Sequence, residues 1–350
     1  MIHCLGCPVE LREIGEFGLI ARIRHRLPAF QPHVFKGIGD DAAVSSLPPG
    51  MDLVSTVDLL VEGVHFDLAL TSAHLLGRKS LAVNLSDIAA MGARPRFALV
   101  SLALPWRTSV EFIDEFYLGF SEMAEAHGVS LIGGDTSSSP ERLVISVTLL
   151  GEGRKEALVF RHGAQPGDDL YVTGTLGDSI LGLQLAREQK GKSTSPPEAQ
   201  LYEKHFNPAP RVQEGRALAE RGLAKAMIDL SDGLFSDLRH ICEESRVGAT
   251  VWAERIPLSQ PFKSLAPTLK GPAWQLALQG GEDYELLFCA PPEKAAEVMA
   301  LAREWACGVA CVGKAEAFSC GLVIRDERGP VDPVLLKGYD HFANQPPTAR

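Results

Sequence analysis

Acidic residues recur in this chain beside glycines and at the ends of apolar runs, and few folds can accommodate that arrangement. They fall in Gly37-Ile38-Gly39-Asp40-Asp41, Thr56-Val57-Asp58, Asn84-Leu85-Ser86-Asp87, Gly133-Gly134-Asp135-Thr136, Asp229-Leu230-Ser231-Asp232-Gly233, Gly280-Gly281-Glu282-Asp283-Tyr284 and Lys337-Gly338-Tyr339-Asp340-His341-Phe342. A single Asp beside a Gly is a common turn pairing, but turns alone do not call for its repetition at strand ends. Two carboxylates about 4 Å apart repel by roughly 4 kcal/mol at an effective dielectric near 20. A fold that gathers several of them needs protons or cations to neutralise the set. Mg²⁺ selects carboxylate oxygens and shares its remaining positions with phosphates. The pattern therefore points to a Mg²⁺-nucleotide site.

Length and charge narrow the setting. With 350 residues and 45% hydrophobic content, the chain can build two domains, each with its own core. Its formal charge of -10 offers no basic footprint for nucleic acid or an anionic membrane. The seven cysteines are odd in number and scattered, unlike a disulfide framework. Cys4-x-x-Cys7 lies in an N-terminal extension, residues 1–12, without a second pair, and reads as two reduced thiols. The start lacks the basic and apolar regions of a signal peptide. No apolar stretch approaches the roughly 20 residues of a membrane helix, so a cytoplasmic location is expected.

Hydrophobic periodicity gives mixed strands and helices in both halves, an α/β or α+β fold. Residues 13–27 read as an amphipathic helix with Phe17, Ile20 and Ile23 on its apolar face. Strands are expected at 51–57, 97–104, 129–132 and 143–150, the third delivering Gly133-Gly134-Asp135 at its end. A helix from Ser72 to Met91, stopped by Gly92 and Pro95, puts Asn84 and Asp87 on one face. Thr108-Ser-Val-Glu111 reads as a capping box ahead of a stripe of Ile113, Phe116, Tyr117, Phe120 and Met123, with Gly128 as the stop. The pattern restarts beyond a boundary near 150–165. It gives strand 169–173, a Gly174-x-x-Gly177 turn, helix 177–188, a mobile polar loop at 190–197 and helix 210–222. Strand 225–229 and helix 233–245 flank Asp229 and Asp232; helix 273–279, strand 284–290, helix 292–306 and strand 308–313 follow. Gly174-x-x-Gly177 lacks the Lys-Ser/Thr of a Walker A loop and the third glycine of a dinucleotide fingerprint, so a tight turn is its plain reading.

Taken in order, the acidic segments resemble the thiamine-monophosphate kinase family of the aminoimidazole-ribonucleotide synthetase superfamily, which also includes selenophosphate synthetase. The resemblance is carried by Gly-Glu-Phe-Gly-Leu-Ile, Gly-Ile-Gly-Asp-Asp-Ala, Asp-Leu-Leu-Val-Glu-Gly-Val-His-Phe, Ala-Val-Asn-Leu-Ser-Asp, Gly-Gly-Asp-Thr, Ile-Asp-Leu-Ser-Asp-Gly-Leu, Gly-Gly-Glu-Asp-Tyr-Glu-Leu and Lys-Gly-Tyr-Asp-His-Phe, across residues 13–343. The last of these is the most discriminating, since the sister branches do not end this way.

The resemblance implies a homodimer of two-domain chains. Residues 13–155 would form an N-terminal domain for ATP, Mg²⁺ and dimerisation, and residues 156–345 a C-terminal domain that completes the substrate site. It implies metal binding by Asp41, Thr56, Asp58, Asp87 and Asp135, and by Asp229 and Asp232 of the second domain. It implies ATP contacts from Gly134, Asp135, Arg161 and Ser231, and thiamine monophosphate contacts from His65, Glu282 and Tyr339. Relatives often carry a hydroxyl residue before the Asp58 position, where this chain has Val57. Asp40 and Asp283 would orient their neighbours. The implied reaction is Mg²⁺-dependent phosphorylation of thiamine monophosphate by ATP. A phosphate monoester is mostly dianionic at neutral pH, with a second pKa near 6, so no general base is required. A sister activity that activates an amide or formyl oxygen, and a non-catalytic Mg²⁺-nucleotide sensor, stay open as alternatives.

Overall fold

The computed structural model describes residues 11–26, 33–38, 42–193, 195–269 and 271–331. Cys4, Cys7, Asp40, Asp41, Tyr339 and the side chain of Phe17 lie outside what is described. The chain divides into two compact units, Met1–Ile88 with Ala93–Leu158, and Ala89–Gly92 with Val159–Arg350.

The first unit contains α1 (Leu11–Arg26), a short pair β1 (Val34–Lys36) and β2 (Val44–Ser45), then β3 (Asp52–Val61), α2 (Ala73–Ala90), β4 (Arg94–Pro105), α3 (Val110–His127), β5 (Ser130–Ser139) and β6 (Val144–Gly153). The four longer strands form one sheet in the order β3-β6-β4-β5. The β4–β5 pair is parallel and the others are antiparallel. α2 is apolar on nearly every side and is buried accordingly, with Leu81, Leu85 and Ile88 fully enclosed. α3 buries the expected stripe of Ile113, Phe116, Tyr117, Phe120 and Met123. The two helices meet at glycines because a methyl group at Gly77 would lie 1.9 Å from the Phe116 carbonyl oxygen, and one at Gly119 1.9 Å from that of His74. On α1 the buried side chains are Leu19 and Ile23, with Ile20 half-buried. Asp114 of α3 fastens this helix by accepting from Arg22 Nε at 2.7 Å and Arg26 Nη2 at 2.9 Å.

Three expectations in this unit need adjustment. The strand expected over 51–57 runs to Val61, because its pairing with β6 continues to Val144, so Asp58 is inside it. The α3 cap is Ser109, whose hydroxyl accepts the Phe112 N–H at 3.2 Å, because Thr108 is taken up in a turn that closes on Pro105. The strand expected to stop at residue 132 runs on to Ser139, since its parallel pairing with β4 continues to Pro105. Gly133-Gly134-Asp135 is therefore inside a strand, not at its end.

The second unit contains β7 (Asp169–Thr173), α4 (Asp178–Glu188), α5 (Pro196–Phe206), α6 (Val212–Glu220), β8 (Ala226–Asp229), α7 (Leu234–Ser245), β9 (Val247–Trp252), α8 (Gln260–Leu265), α9 (Ala273–Gln279), β10 (Leu286–Ala290), α10 (Ala295–Ala302), β11 (Val309–Ala317), β12 (Leu322–Asp326) and β13 (Gly329–Pro330). Its strands form a seven-stranded mixed sheet in the order β13-β12-β9-β11-β7-β10-β8. β10, paired on both sides, is apolar and buried throughout, as a strand covered on both faces should be. Leu170, Val172, Leu238, Ile241, Val251 and Leu287 belong to one hydrophobic core cluster of this unit.

The polar run at 190–197 ends earlier than expected, because Ser195 and Glu198 form a capping box that opens α5 at Pro196. The strand expected from residue 284 begins at Leu286, because Glu282 and Tyr284 hold φ angles of 65° and 51° that no strand can contain. The helix expected over 292–306 is a 3₁₀ turn at Pro292–Lys294 followed by α10. Among the described residues, no helix is long and apolar enough to cross a membrane.

Candidate active site

In the first unit the edge strand β3 and the helix α2 bring Thr56, Asp58 and Asp87 together. Alternation along β3 puts Thr56 and Asp58 on one face and the Val57 side chain on the other. The Thr56 hydroxyl donates to Asp87 Oδ2. Burial, with the Asp87 charge adding to it, pushes the Asp58 carboxyl up to about 7. Asp58 Oδ2 is buried and has no hydrogen-bond partner. On α2, Asn84 stands three residues from Asp87, and its Oδ1 is also buried without a partner. A buried carboxylate oxygen left unpaired beside another carboxylate is costly unless a cation or proton completes it. The donors are all hard oxygens, which suits Mg²⁺. Among the described residues, no three acidic, histidine or cysteine side chains converge into a complete ligand set.

Asp135 is not part of this group within one chain. Register pairs it with Ser101, Ser101 with Ser146, and Ser146 with Leu59. It is therefore exposed on the sheet face opposite Asp58, and three strands away, about 14 Å at the usual strand spacing. Gly134 packs so closely on β4 that a methyl group would lie 1.9 Å from the Val100 carbonyl oxygen. His65 follows β3 in a turn, where its N–H donates to the Val61 carbonyl and its Nδ1 accepts the Val61 N–H at 3.0 Å. That contact leaves Nε2 to carry the proton of the neutral ring.

In the second unit, Asp229 ends β8 and Asp232 precedes α7. A third carboxylate, Asp237 in the first turn of α7, accepts the Asp232 N–H at 3.1 Å. Burial, reinforced by the charges of Asp229 and Asp232, raises the Asp237 carboxyl to about 8. The Ser231 carbonyl accepts the Glu282 N–H at 2.8 Å, and the Leu230 carbonyl accepts the Tyr284 N–H at 2.9 Å. These bonds tie the Asp229–Asp232 loop to the Gly280–Tyr284 loop. A methyl group at Gly281 would lie 2.4 Å from the Ser231 carbonyl oxygen, so that contact requires glycine.

Asp283 serves the fold. Its carboxylate accepts the Gly177 N–H at 2.7 Å and the Ser179 N–H at 3.2 Å. Complete burial raises its pKa well above the usual range, although both hydrogen bonds oppose the shift. The N-terminus of α4 is thus already occupied by a carboxylate of the same chain, and Gly174-x-x-Gly177 is a turn and not a phosphate cradle. Glu285, two residues on, is buried and accepts from Arg211 Nε at 2.6 Å and Nη2 at 2.5 Å, and from Thr173 Oγ1 at 2.7 Å. Arg161 is exposed, and its backbone carbonyl accepts the Ser245 hydroxyl at 3.1 Å.

Asp237, Arg211, His205 and Glu285 are functional-site neighbours that the sequence pattern alone does not mark. Two of them carry a weaker signal: Asp237 repeats the Ser-Asp pairing of Ser231-Asp232, and Glu285 is an acid immediately ahead of an apolar strand.

The fold and these paired acidic loops define a class. The N-terminal domain model of the AIR synthase related proteins matches residues 39–152, and the C-terminal domain model of the same proteins matches residues 165–320. A thiamine-monophosphate kinase of Haemophilus influenzae is 39% identical over 94% of this chain and 98% of its own length. One from Bacillus subtilis is 41% identical over 78% of this chain and 82% of its own. The chain belongs to the thiamine-monophosphate kinase family. A crystal structure of such a kinase from Stenotrophomonas maltophilia superposes with a TM-score of 0.80 at 37% identity, covering 91% of this chain and 98% of that one. A structure of AaThiL complexed with AMPPCP and TMP gives 0.73 at 35% identity, covering 95% and 99%.

Proposed function

We infer that this protein phosphorylates thiamine monophosphate with ATP, yielding thiamine diphosphate and ADP. The observation that carries the reading is the match, over almost the whole of both chains, to a structure complexed with AMPPCP and TMP. The phosphate oxygen of the acceptor attacks the γ-phosphorus of ATP in line, and the bond to the β-phosphate oxygen breaks. Phosphoryl transfer asks a protein chiefly for alignment and charge neutralisation. Thr56, Asp58 and Asp87, with Asp41, would hold Mg²⁺ in the first unit, and Asp229 and Asp232 in the second. Bound Mg²⁺ supplies the positive charge that lets two polyanions approach. The orphaned Asp58 oxygen supports that assignment. Gly134, Asp135, Arg161 and Ser231 are assigned to ATP, and His65, Glu282 and Tyr339 to the acceptor. Glu282 suits the cationic thiazolium or the pyrimidine amine by charge and hydrogen bonding.

³¹P NMR of the protein with Mg²⁺-ATP and thiamine monophosphate, with an acceptor-free control, tests the reaction. A diphosphate pair matching thiamine diphosphate should grow in step with ADP. ATP left intact by folded, Mg²⁺-loaded protein would favour a sensor, and ATP consumed without thiamine diphosphate would favour a sister activity.

The open face of the first unit's sheet supports a homodimer. Leu53, Val57 and Leu59 stand 56%, 62% and 54% exposed along β3, with Thr148 and Leu150 of β6 beside them on that face. An apolar row of this kind on an edge strand is a liability unless covered. A second copy, meeting it face to face, would cover it and explain why an apolar residue stands at position 57. Leu59→Lys is expected to convert a dimer to monomers in sedimentation; a monomeric parent protein would end the proposal.

A further inference from the structure

The last turn of α5 reaches the Gly280–Glu285 loop with two side chains. Lys204 Nζ lies 4.0 Å from Glu285 Oε1, and His205 Nδ1 lies 3.7 Å from Glu282 Oε2. His205 is buried, packed edge-on against Phe206 with ring centroids 4.8 Å apart, and its Nδ1 is 2.9 Å from the Ser179 hydroxyl. Ser179 is fixed in turn, because its N–H donates to Asp283. Glu282 itself is half-buried and carries a left-handed backbone with φ of 65°. Such a conformation in a non-glycine residue persists where the surroundings over-determine it, and it is concentrated at binding sites. Here the loop backbone is held by the Ser231 carbonyl and the Asp283 cap, and His205 is a buried group beside the Glu282 carboxylate.

We propose that His205 is a positioning residue for the acceptor: held by Ser179 and Phe206, it fixes the Glu282 carboxylate in the orientation that receives the thiamine moiety. The proposal rests on the assignment of Glu282 to the acceptor. A side chain that must be ordered on binding weakens affinity by the cost of ordering it, and a buried partner that orders it beforehand removes that cost. The effect should fall on the acceptor and leave ATP untouched.

Steady-state kinetics of His205→Ala, His205→Asn, Ser179→Ala and Glu282→Gln, each with its melting temperature, test this. His205→Ala should raise the KM for thiamine monophosphate by up to about tenfold, the cost of ordering one flexible side chain on binding, with the KM for ATP and kcat unchanged. His205→Asn, whose amide nitrogen can stand where Nδ1 stands, should recover part of the loss. Glu282→Gln should raise the same KM, and adding His205→Ala to it should do no further harm. If His205→Ala does not fold, Ser179→Ala carries the test, with a smaller rise in the same constant. Additive losses, or equal rises in both KM values, would overturn the proposal. An unchanged acceptor KM in Glu282→Gln would instead remove the assignment beneath it, a result distinct from a responsive Glu282 beside an indifferent His205.

Discussion

Asp58→Asn is expected to melt higher than the parent protein at pH 8 without divalent cations, and to turn over about 10³-fold more slowly with them. Both effects come from one carboxylate. Its folded pKa is about 7 against a usual value of 3.8, because burial and then Asp87 oppose its charge. A carboxyl whose pKa rises on folding binds its proton more tightly in the native state. The native state therefore loses stability as pH climbs from about 4 to about 7, and the deficit stays constant above that. At pH 8 the deficit is a few kcal/mol at most, which Asn, neutral at every pH, does not incur. The melting difference should vanish below about pH 3, where the carboxyl is protonated in the folded and the unfolded chain alike. Equal melting at pH 8, or turnover preserved in the variant, would remove Asp58 from the metal-binding role. A site that is less stable without its cation than an uncharged copy would be is the signature of a group retained for function.

The acidic segments were the part of the site most legible in the sequence, for a physical reason. Asp87, Asp229 and Asp232 sit next to apolar runs whose period shows where strands and helices end, so spacing places them; Asp58, expected just past strand 51–57, lies inside β3, where alternation sets its side. Asn84 and Asp87 share a face through an i, i+3 relation that no tertiary contact can alter. The groups around them were not legible. His205 meets Glu282, and Arg211 meets Glu285, across separations of more than seventy residues, and nothing in the local pattern of Lys-His-Phe or Pro-Ala-Pro-Arg announces those partners.

The fold shows the same division. α2, α3, α4 and α7 carry caps, stripes or glycine stops and were readable to within about two residues. α5 escaped because Ser195-Pro-Pro-Glu198 reads first as a loop, and only the reciprocal bonds of Ser195 and Glu198 make it a helix start. β9 and β12 escaped because a short apolar strand such as Val-Gly-Ala-Thr-Val-Trp has too weak a period until its sheet partners exist. Asp135 illustrates a subtler limit. Its motif suggested a strand end beside the other carboxylates, but sheet register puts it on the opposite face from Asp58, and register is a property of pairing, not of composition.

Arg211→Ala should cost about 3–5 kcal/mol of stability, because it strands the Glu285 carboxylate in the interior. Glu285 is 1% exposed and takes both guanidinium hydrogen bonds. Burial works to lower the Arg211 pKa, and the hydrogen bonds and charge of Glu285 outweigh it, so the guanidinium stays charged at any pH. Removing both charges should cost less than removing one, since the desolvation penalty of the survivor disappears with it. Arg211→Met combined with Glu285→Gln is therefore expected to melt above Arg211→Ala in calorimetry. The pair also matters to the site, because the Glu285 carbonyl accepts the Leu230 N–H at 2.8 Å, and Leu230 lies between Asp229 and Ser231. A loosened Glu285 would release the loop that carries Asp229 and Asp232, and activity in the double variant should remain below the parent even where stability recovers. Recovery of stability and activity together would show that the ion pair holds the fold without holding the site.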